Sequence, residues 1–283
     1  MDIVKSFILN DGLVRGAFIA ADTVVADIWK RQAYPDVLRP VLTDAVLAAL
    51  ALSAGLKYDG LFSLQIRGNG PVSSLFVDVT QDKKVRAYVV YDSDKMPADV
   101  CDLSDLFGQA QMVFSVGVIG QEPYQGVVAV TKKTLAEAVI DYFTLSEQIP
   151  TKIVMRQRKD NGRCLLLQEM PDKDGISSEE RADIWETICV LAESVQDDEL
   201  FSDTLTPDDV LLRLFHANQL VVFTPATPTF SCRCYRGKME KFLKQMSETE
   251  RKGLYQNGKI TVACQFCGEL YTFTPDEFGD VID

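Results

Sequence analysis

The sequence predicts an α+β protein in three parts, and three observations predict it. Over residues 1–168, short apolar runs with strand character outnumber helical stretches. That grouping suits an antiparallel sheet with helices set beside it, giving a mixed sheet-and-helix domain. Residues 169–228 turn acidic and read as a helical linker. Residues 229–283 form a small module holding four of the seven cysteines in two close pairs, Cys232-x-Cys234 and Cys264-x-x-Cys267. With 283 residues, 47% hydrophobic and 25% charged, the chain has room for more than one domain and an ordinary globular composition.

The elements follow in order. Val4–Leu9 and Leu13–Ala20 are apolar runs split by Asn10, Asp11 and Gly12, which predicts two strands and a tight turn. Asp22 is placed to cap a short helix ending at Trp29. Pro35 precedes an Ala/Leu-rich helix from Val37 to Leu56, closed by Gly55 and Gly60. Leu61–Ile66, Ser73–Thr80 and Val85–Tyr91 make a meander, its first turn at Gly68-Asn69-Gly70-Pro71. Met112–Ile119 and Tyr124–Val130 make a second hairpin. Thr134-Leu135-Ala136-Glu137 is a capping box opening a helix to about Gln148. Ile153–Arg158 and Cys164–Gln168 end the sheet part.

In the next part Ser177 opens a helix with Ile184, Trp185, Ile188, Leu191 and Ala192 on one face. Thr206-Pro207 opens another, with proline at the first helical position, and Pro225 and Pro228 mark its far boundary. Between Glu169 and Asp209 stand fourteen acids against Lys173 and Arg181, so this stretch carries the whole net charge of −12. Such a run is either a solvated acidic linker or a segment held only marginally folded by its own repulsion. It shows no broad apolar core of its own.

Two close cysteine pairs about thirty residues apart can supply four thiolates to one tetrahedral zinc ion, which points to Cys232, Cys234, Cys264 and Cys267 as its ligands. The alternative is four unligated buried thiols. The module offers few large apolar side chains (Phe230, Phe242, Leu243, Leu254, Ile260, Phe266, Leu270, Phe273 and Phe278), so a metal has much stability to supply. Thiolates are also what peroxide attacks. Cys101, Cys164 and Cys189 sit among apolar neighbours and read as small core residues. His216 is the only histidine, which argues against Ser-His-Asp or Cys-His catalysis. Gly68-x-Gly70 lacks the third glycine of a dinucleotide loop and reads as a turn.

From Arg233 to Lys259 eight bases face three acids. That surface could hold nucleic acid or dock on the acidic linker; an adjacent acidic stretch competes with phosphate and favours docking. With neither a basic-then-apolar leader nor an apolar run near 18 residues, the expectation is a cytoplasmic chain whose thiols stay reduced, with no membrane partner.

Several runs in order resemble the heat shock protein 33 family of redox-regulated holdase chaperones: Leu56-Lys57-Tyr58-Asp59-Gly60, Gln65, Gly68-Asn69-Gly70-Pro71-Val72, Tyr124-Gln125-Gly126-Val127-Val128, Tyr142-Phe143-x-x-Ser146-Glu147-Gln148-Ile149-Pro150-Thr151, and both cysteine pairs with Gln265-Phe266. The resemblance implies an ATP-independent chaperone, not an enzyme, with unfolded proteins as clients, no nucleic acid, and a homodimer when oxidised. It implies zinc on the same four cysteines and disulfides Cys232–Cys234 and Cys264–Cys267 on oxidation. It does not carry over a client surface residue by residue. Zinc loss would then unfold the module, withdraw its support from the linker and expose faces such as Ile184/Ile188/Leu191. Two other classes stay open: a zinc ribbon that binds nucleic acid, and a thiol oxidoreductase using Cys264-x-x-Cys267.

Overall fold

The computed structural model describes residues 1–56, 58–100, 102–117, 120, 122–159, 161–171 and 176–279. Cys101, Val118 and Ile119, the charged residues Asp172, Lys173 and Asp174, and Lys57 of the family-like run lie outside them. The elements are β1 (Asp2–Leu9), β2 (Val14–Ala21), α1 (Thr23–Trp29), α2 (Arg39–Ala54), β3 (Leu61–Gly68), β4 (Val72–Thr80), β5 (Lys84–Tyr91), α3 (Leu103–Phe107), β6 (Ala110–Val116), β7 (Tyr124–Val130), α4 (Leu135–Tyr142), β8 (Thr151–Arg158) and β9 (Asn161–Glu169). They continue with α5 (Ser178–Glu193), α6 (Asp197–Leu200), α7 (Pro207–Phe215), β10 (Val221–Val222), β11 (Thr229–Phe230), α8 (Arg236–Lys244), α9 (Glu248–Lys252), β12 (Ile260–Ala263) and β13 (Leu270–Phe273). One sheet runs β10-β1-β2-β9-β8, a second β11-β5-β4-β3-β6-β7, and β12-β13 is a separate hairpin. The expected α+β class holds.

Helix α2 lies between the two large sheets and packs on strands of both. Nearly every side chain from Val41 to Ser53 is buried, so the helix shows no clear polar face, as expected of one covered all round. Asp36–Ala54 is long and apolar enough to cross a membrane by length and composition, which corrects the expectation of no such run; 72% of that stretch is buried inside the fold. Its C-terminal end is met by Lys83, whose ammonium donates to the Ser53 carbonyl at 2.9 Å. Burial lowers the Lys83 pKa to about 8. The glycines of the β3–β4 turn are required by close approach: a Cβ on Gly70 would lie 2.6 Å from the backbone of α3.

The five-stranded sheet is apolar on both faces because something packs on each. Ile19, Cys164 and Leu166 point into the α2 core; Phe18, Leu165 and Leu167 point the other way. The second face is covered by the helices of the acidic segment. Ile188, Ala192, Leu200, Val210, Leu211, Leu214 and Phe215 bury themselves there with Phe7, Phe18 and Leu165. The acidic segment therefore shares a full core with the sheet, contrary to its expected lack of one. Ile188 is fully buried, while Ile184 and Leu191 are only partly so.

Its charges also pair differently from expectation. Glu193 meets Lys152, Asp197 lies 3.3 Å from Arg156 and Asp198 3.5 Å from Arg158, all on β8. Asp208 meets Lys5 of β1. None of the ion pairs among the described residues joins the acidic segment to the 233–259 stretch. The physical reason is position: the acidic helices cover the outer face of the five-stranded sheet, and the cysteine module sits against the six-stranded one. Buried Arg163 ties the two layers, donating to Asp22 at 2.5 Å and to the Leu200 carbonyl at 3.0 Å.

Local differences have local causes. Asp22 is drawn into the pair with Arg163 and does not cap α1; Asp2 does, accepting from the Thr23 and Val24 amides. The helix opened by the Thr134 capping box ends at Tyr142, and a π-turn covers Phe143–Glu147 before Gln148 adopts φ 54°. There Tyr124 and Tyr142 both donate to Glu147, at 2.8 and 2.5 Å. The short α3, β10 and β11 leave no mark in the sequence pattern, because a five-residue helix and two-residue strands have no usable period.

Two measurements check this layout. Leu211→Ala removes a fully buried side chain and is expected to cost about 2–5 kcal/mol, with faster hydrogen exchange over 178–215 and little change in β3 and β4. Asp44 is pushed up to about 6 by burial, with Gln157 donating to it at 2.6 Å. A carboxyl raised above its unfolded value costs stability once ionised: the cost is absent below about pH 4, grows to about pH 6 and is full at neutrality. Asp44→Asn should therefore stabilise by about 1–3 kcal/mol at pH 7.5 and by nothing at pH 4. An equal effect at both values counts against the burial cause.

Candidate metal centre

Two backbone devices bring the cysteine pairs together. Strand β11 adds parallel to β5, Thr229 opposite Lys84 and Phe230 opposite Val85, and the Ser231 amide donates to the Val85 carbonyl at 2.9 Å. That fixes where Cys232 begins. The second pair sits in the turn of the β12-β13 hairpin, after Ala263 and before Leu270. Here the Gly268 amide donates to the Cys264 carbonyl and the Cys264 amide to the Glu269 carbonyl, at 2.8 and 2.9 Å. Gly268 has φ +75°, in the left-handed region where a Cβ is penalised. This turn over Phe266-Cys267-Gly268 is the knuckle that presents the second pair.

The four sulfurs all lie within 4.8 Å of one another. Between the pairs, Cys232 Sγ lies 3.7 Å from Cys264 Sγ and Cys234 Sγ 3.4 Å from Cys267 Sγ. Four thiolates about 2.3 Å from one tetrahedral zinc would be about 3.8 Å apart, so the donor set and its spacing fit that ion. The cluster could hold a metal ion.

The Tyr271 hydroxyl donates to Cys234 Sγ at 3.2 Å. Cys234 is only part-buried; burial resists its ionisation, but the Tyr271 hydrogen bond and the other three thiols outweigh that and lower its pKa. Burial raises the thiols of Cys232 and Cys267. The other described cysteines, Cys164 and Cys189, stand apart from the cluster. Cys164 is sealed in the α2 core, its thiol raised by desolvation. Cys189 is half-buried on α5 and pushed up to about 11, chiefly by desolvation. His216 caps α7 at the surface, with no acid or nucleophile bonded to its ring among the described residues.

Among the described residues, Leu243, Ile260 and Phe273 form the fully buried core of the module. Phe242, Leu254 and Leu270 are exposed. Phe230 and Phe266 instead pack on the sheet domain: Arg31 stacks over Phe230 at 4.0 Å, Arg86 over Phe266 at 3.8 Å, and Phe266 meets the Tyr88 ring edge-on at 4.6 Å. Arg233 reaches the buried Asp78 at 2.9 Å, and Gln32 donates to the Gln265 carbonyl at 3.0 Å. Sequence reasoning missed these contacts, since Asp78 and Tyr88 carry no signal that a distant module needs them. The basic stretch also spends its charge locally: Arg236 pairs with Glu277, Lys244 with Glu240 and Lys252 with Glu248. Cys264-x-x-Cys267 lies in a hairpin beside two further cysteines, without the helix N-terminus that lowers the nucleophile's pKa in dithiol reductases.

Comparison with known proteins agrees with this layout. A model of the Hsp33 protein family matches residues 2–274. A 33 kDa chaperonin of Shewanella oneidensis is 33% identical over 281 residues, covering 99% of this chain and 95% of that one. One of Pseudomonas fluorescens is 31% identical over 274 residues, covering 96% and 90%. The crystal structure of the 33 kDa chaperonin (heat shock protein 33 homolog) of Thermotoga maritima superposes with a TM-score of 0.82 over 98% of this chain and 96% of that one, at 23% identity. That last likeness speaks for the fold.

Metal analysis tests the cluster directly. Reduced protein should bind about one zinc per chain through four sulfurs, and Cys264→Ser should lose tight binding; full stoichiometry in that variant would remove the site. Tyr271→Phe keeps the ligands and should weaken zinc roughly tenfold, as loss of an outer hydrogen bond does.

Proposed function

The chain belongs to the Hsp33 protein family, and from that premise we propose that it is a cytoplasmic, ATP-independent holdase switched on by oxidation. Residues 1–168 are the sheet platform, 169–228 the linker and 229–283 the switch. The observation that carries the reading is a four-sulfur cluster in a module that, among the described residues, fully buries three apolar side chains. Bound zinc would cross-link the two cysteine pairs and supply stability that so small a core lacks.

The steps belong to the thiols. A cluster thiolate attacks peroxide and becomes a sulfenic acid; a second thiolate displaces hydroxide from it and closes a disulfide. Two electrons pass from each sulfur pair to each peroxide, which leaves as two waters once protonated. With the pairs closed as Cys232–Cys234 and Cys264–Cys267, no thiolate remains to hold the metal, and the module unfolds.

The signal then travels by a route other than direct contact with the acidic helices. Residues 220–231 form a strap between α7 and the module. Its Ala226 exchanges hydrogen bonds with Val4, Phe223 donates to the Ser6 carbonyl, and β11 lies on β5. An unfolded module leaves β11 without its anchor. The strap then loosens from β1, and α7 with it. The ion pairs of Asp197 and Asp198 are exposed and contribute at most about 1 kcal/mol each, so the linker is a ready element to yield. Its buried side, Ile188, Leu211 and Phe215 with Phe7 and Phe18 beneath, becomes apolar surface for unfolding clients. A holdase acting by mass action needs no nucleotide. The oxidised form acts as a homodimer.

Light scattering of a heat-unfolding client decides the claim. Oxidised protein should suppress aggregation without nucleotide, and zinc-loaded reduced protein should not. Equal suppression by both forms would mean that the thiols do not control activity. Suppression by neither, with salt-dependent RNA binding, would favour a nucleic-acid module. In the oxidised protein Cys164 and Cys189 should remain free thiols by peptide mapping.

A further inference from the structure

The ring of Phe266 occupies a built aromatic seat. It meets Tyr88 edge-on at 4.6 Å and lies under the Arg86 guanidinium at 3.8 Å. Tyr88 in turn stacks on Phe76, centroids 5.4 Å apart and planes within 5°. The seat is rigid. Arg86 is held by Asp78 at 2.6 and 2.8 Å, and Asp78, only 2% exposed, also accepts from Ser63 at 2.6 Å. Arg233 is a further donor to that carboxylate and comes from the module itself.

Register shows what lies around the seat. Tyr88 pairs with Phe76, Phe76 with Gln65, Gln65 with Val113, and Val113 with Val127. These residues make one row across the outer face of the six-stranded sheet, opposite the α2 core. Tyr88, Phe76 and Val113 are half-buried and Val127 is 54% exposed. The module covers the Tyr88 end. Aromatic rings that prefer one another edge-to-face, with a guanidinium over one of them, form a pocket for another aromatic ring.

We propose that this row is a client-binding surface, that its partner is an extended polypeptide segment presenting an aromatic side chain flanked by acidic residues, and that Phe266 is the internal ligand blocking it in the reduced state. This rests on the oxidation-opened holdase reading above. Phe266 stands between Cys264 and Cys267, so whatever unfolds the knuckle withdraws the ring. Arg233 leaves at the same moment. Asp78 keeps Ser63 and Arg86, so the seat persists while its blocking ring is gone. Arg86 on β5 and Arg67 on β3, with β4 between them, stand against the buried Asp78 and leave the opened face net positive, which sets the preference for acidic flanks.

The test uses a fluorescein-labelled pentapeptide with a central phenylalanine between aspartates, and the same peptide with alanine at the centre. Phe266→Ala spares all four thiols. Zinc-loaded and reduced, that variant should bind the phenylalanine peptide roughly tenfold more tightly than reduced wild type, the scale of one aromatic and one cation–π contact. The alanine peptide should gain nothing. Oxidised wild type should bind the phenylalanine peptide as Phe266→Ala does. Oxidised Tyr88→Ala should release zinc normally yet bind it roughly tenfold more weakly, with Tyr88→Phe restoring binding. Should Tyr88→Ala fail to fold, Phe76→Ala reads the same seat. Equal binding of the two peptides, or undiminished binding by a folded Tyr88→Ala or Phe76→Ala, overturns the proposal. If oxidised wild type suppresses no aggregation at all, the holdase reading fails instead. If it suppresses aggregation while the Tyr88 and Phe76 variants bind peptide and client unchanged, only the seat is wrong.

Discussion

Among the described residues, Leu243, Ile260 and Phe273 are the fully buried apolar core of the cysteine module, with partly buried neighbours such as Met239 and Phe278 packed on it, and much else in the structure answers that small core. Ordering some fifty residues costs far more conformational entropy than three buried side chains return. The deficit is met from two outside sources. One is the four-sulfur cluster, whose spacing suits a tetrahedral ion. The other is the six-stranded sheet, which takes Phe266, Phe230 and Arg233 as anchors. On the proposed reading, a folding unit that depends on thiol chemistry and on a borrowed surface would be undone by changing the thiols alone.

The two outer layers are linked through the middle rather than to each other. The acidic helices lie over one face of the five-stranded sheet, their charges answered by Lys152, Arg156 and Arg158 of β8. The module lies on the outer face of the other sheet. Between them runs the strap through β10 and β11, two residues of pairing at each end. Short edge pairings are individually weak and easily lost, which suits the strap to the yielding role proposed for it. Helix α2, buried between the sheets, ties the platform into one body.

Polar burial marks the joints. Asp78 accepts from Ser63, Arg86 and Arg233, and Arg163 serves Asp22 and the Leu200 carbonyl. Each is a buried charge that depends on hydrogen-bonding partners to offset its desolvation. Asp78 stands under the module and Arg163 under the acidic helices. Asp44 differs: it has Gln157 alone as a side-chain partner among the described residues, so desolvation raises its pKa instead.

Much of this was readable in the chain. Strand runs, the turn at Gly68–Pro71, the Thr134 and Thr206 caps and the cysteine pairs are local signals, because period, capping and ligand spacing act over a few residues. The family runs added the expected chemistry of oxidation. What tertiary structure decided was partnership. The acidic segment's apolar residues, scattered among fourteen acids, gave no sign of a core until the second face of the five-stranded sheet supplied Phe7 and Phe18. Its charges looked made for Arg233–Lys259, yet β8 answers them, since a charge run names no address and the chain path does. Asp22 seemed a helix cap until buried Arg163, 141 residues away, claimed it. Phe266 read as module core; only the docked fold shows that it leaves that core for Tyr88 and Arg86. Local chemistry is written along the sequence, whereas which surfaces meet depends on contacts between residues far apart in it.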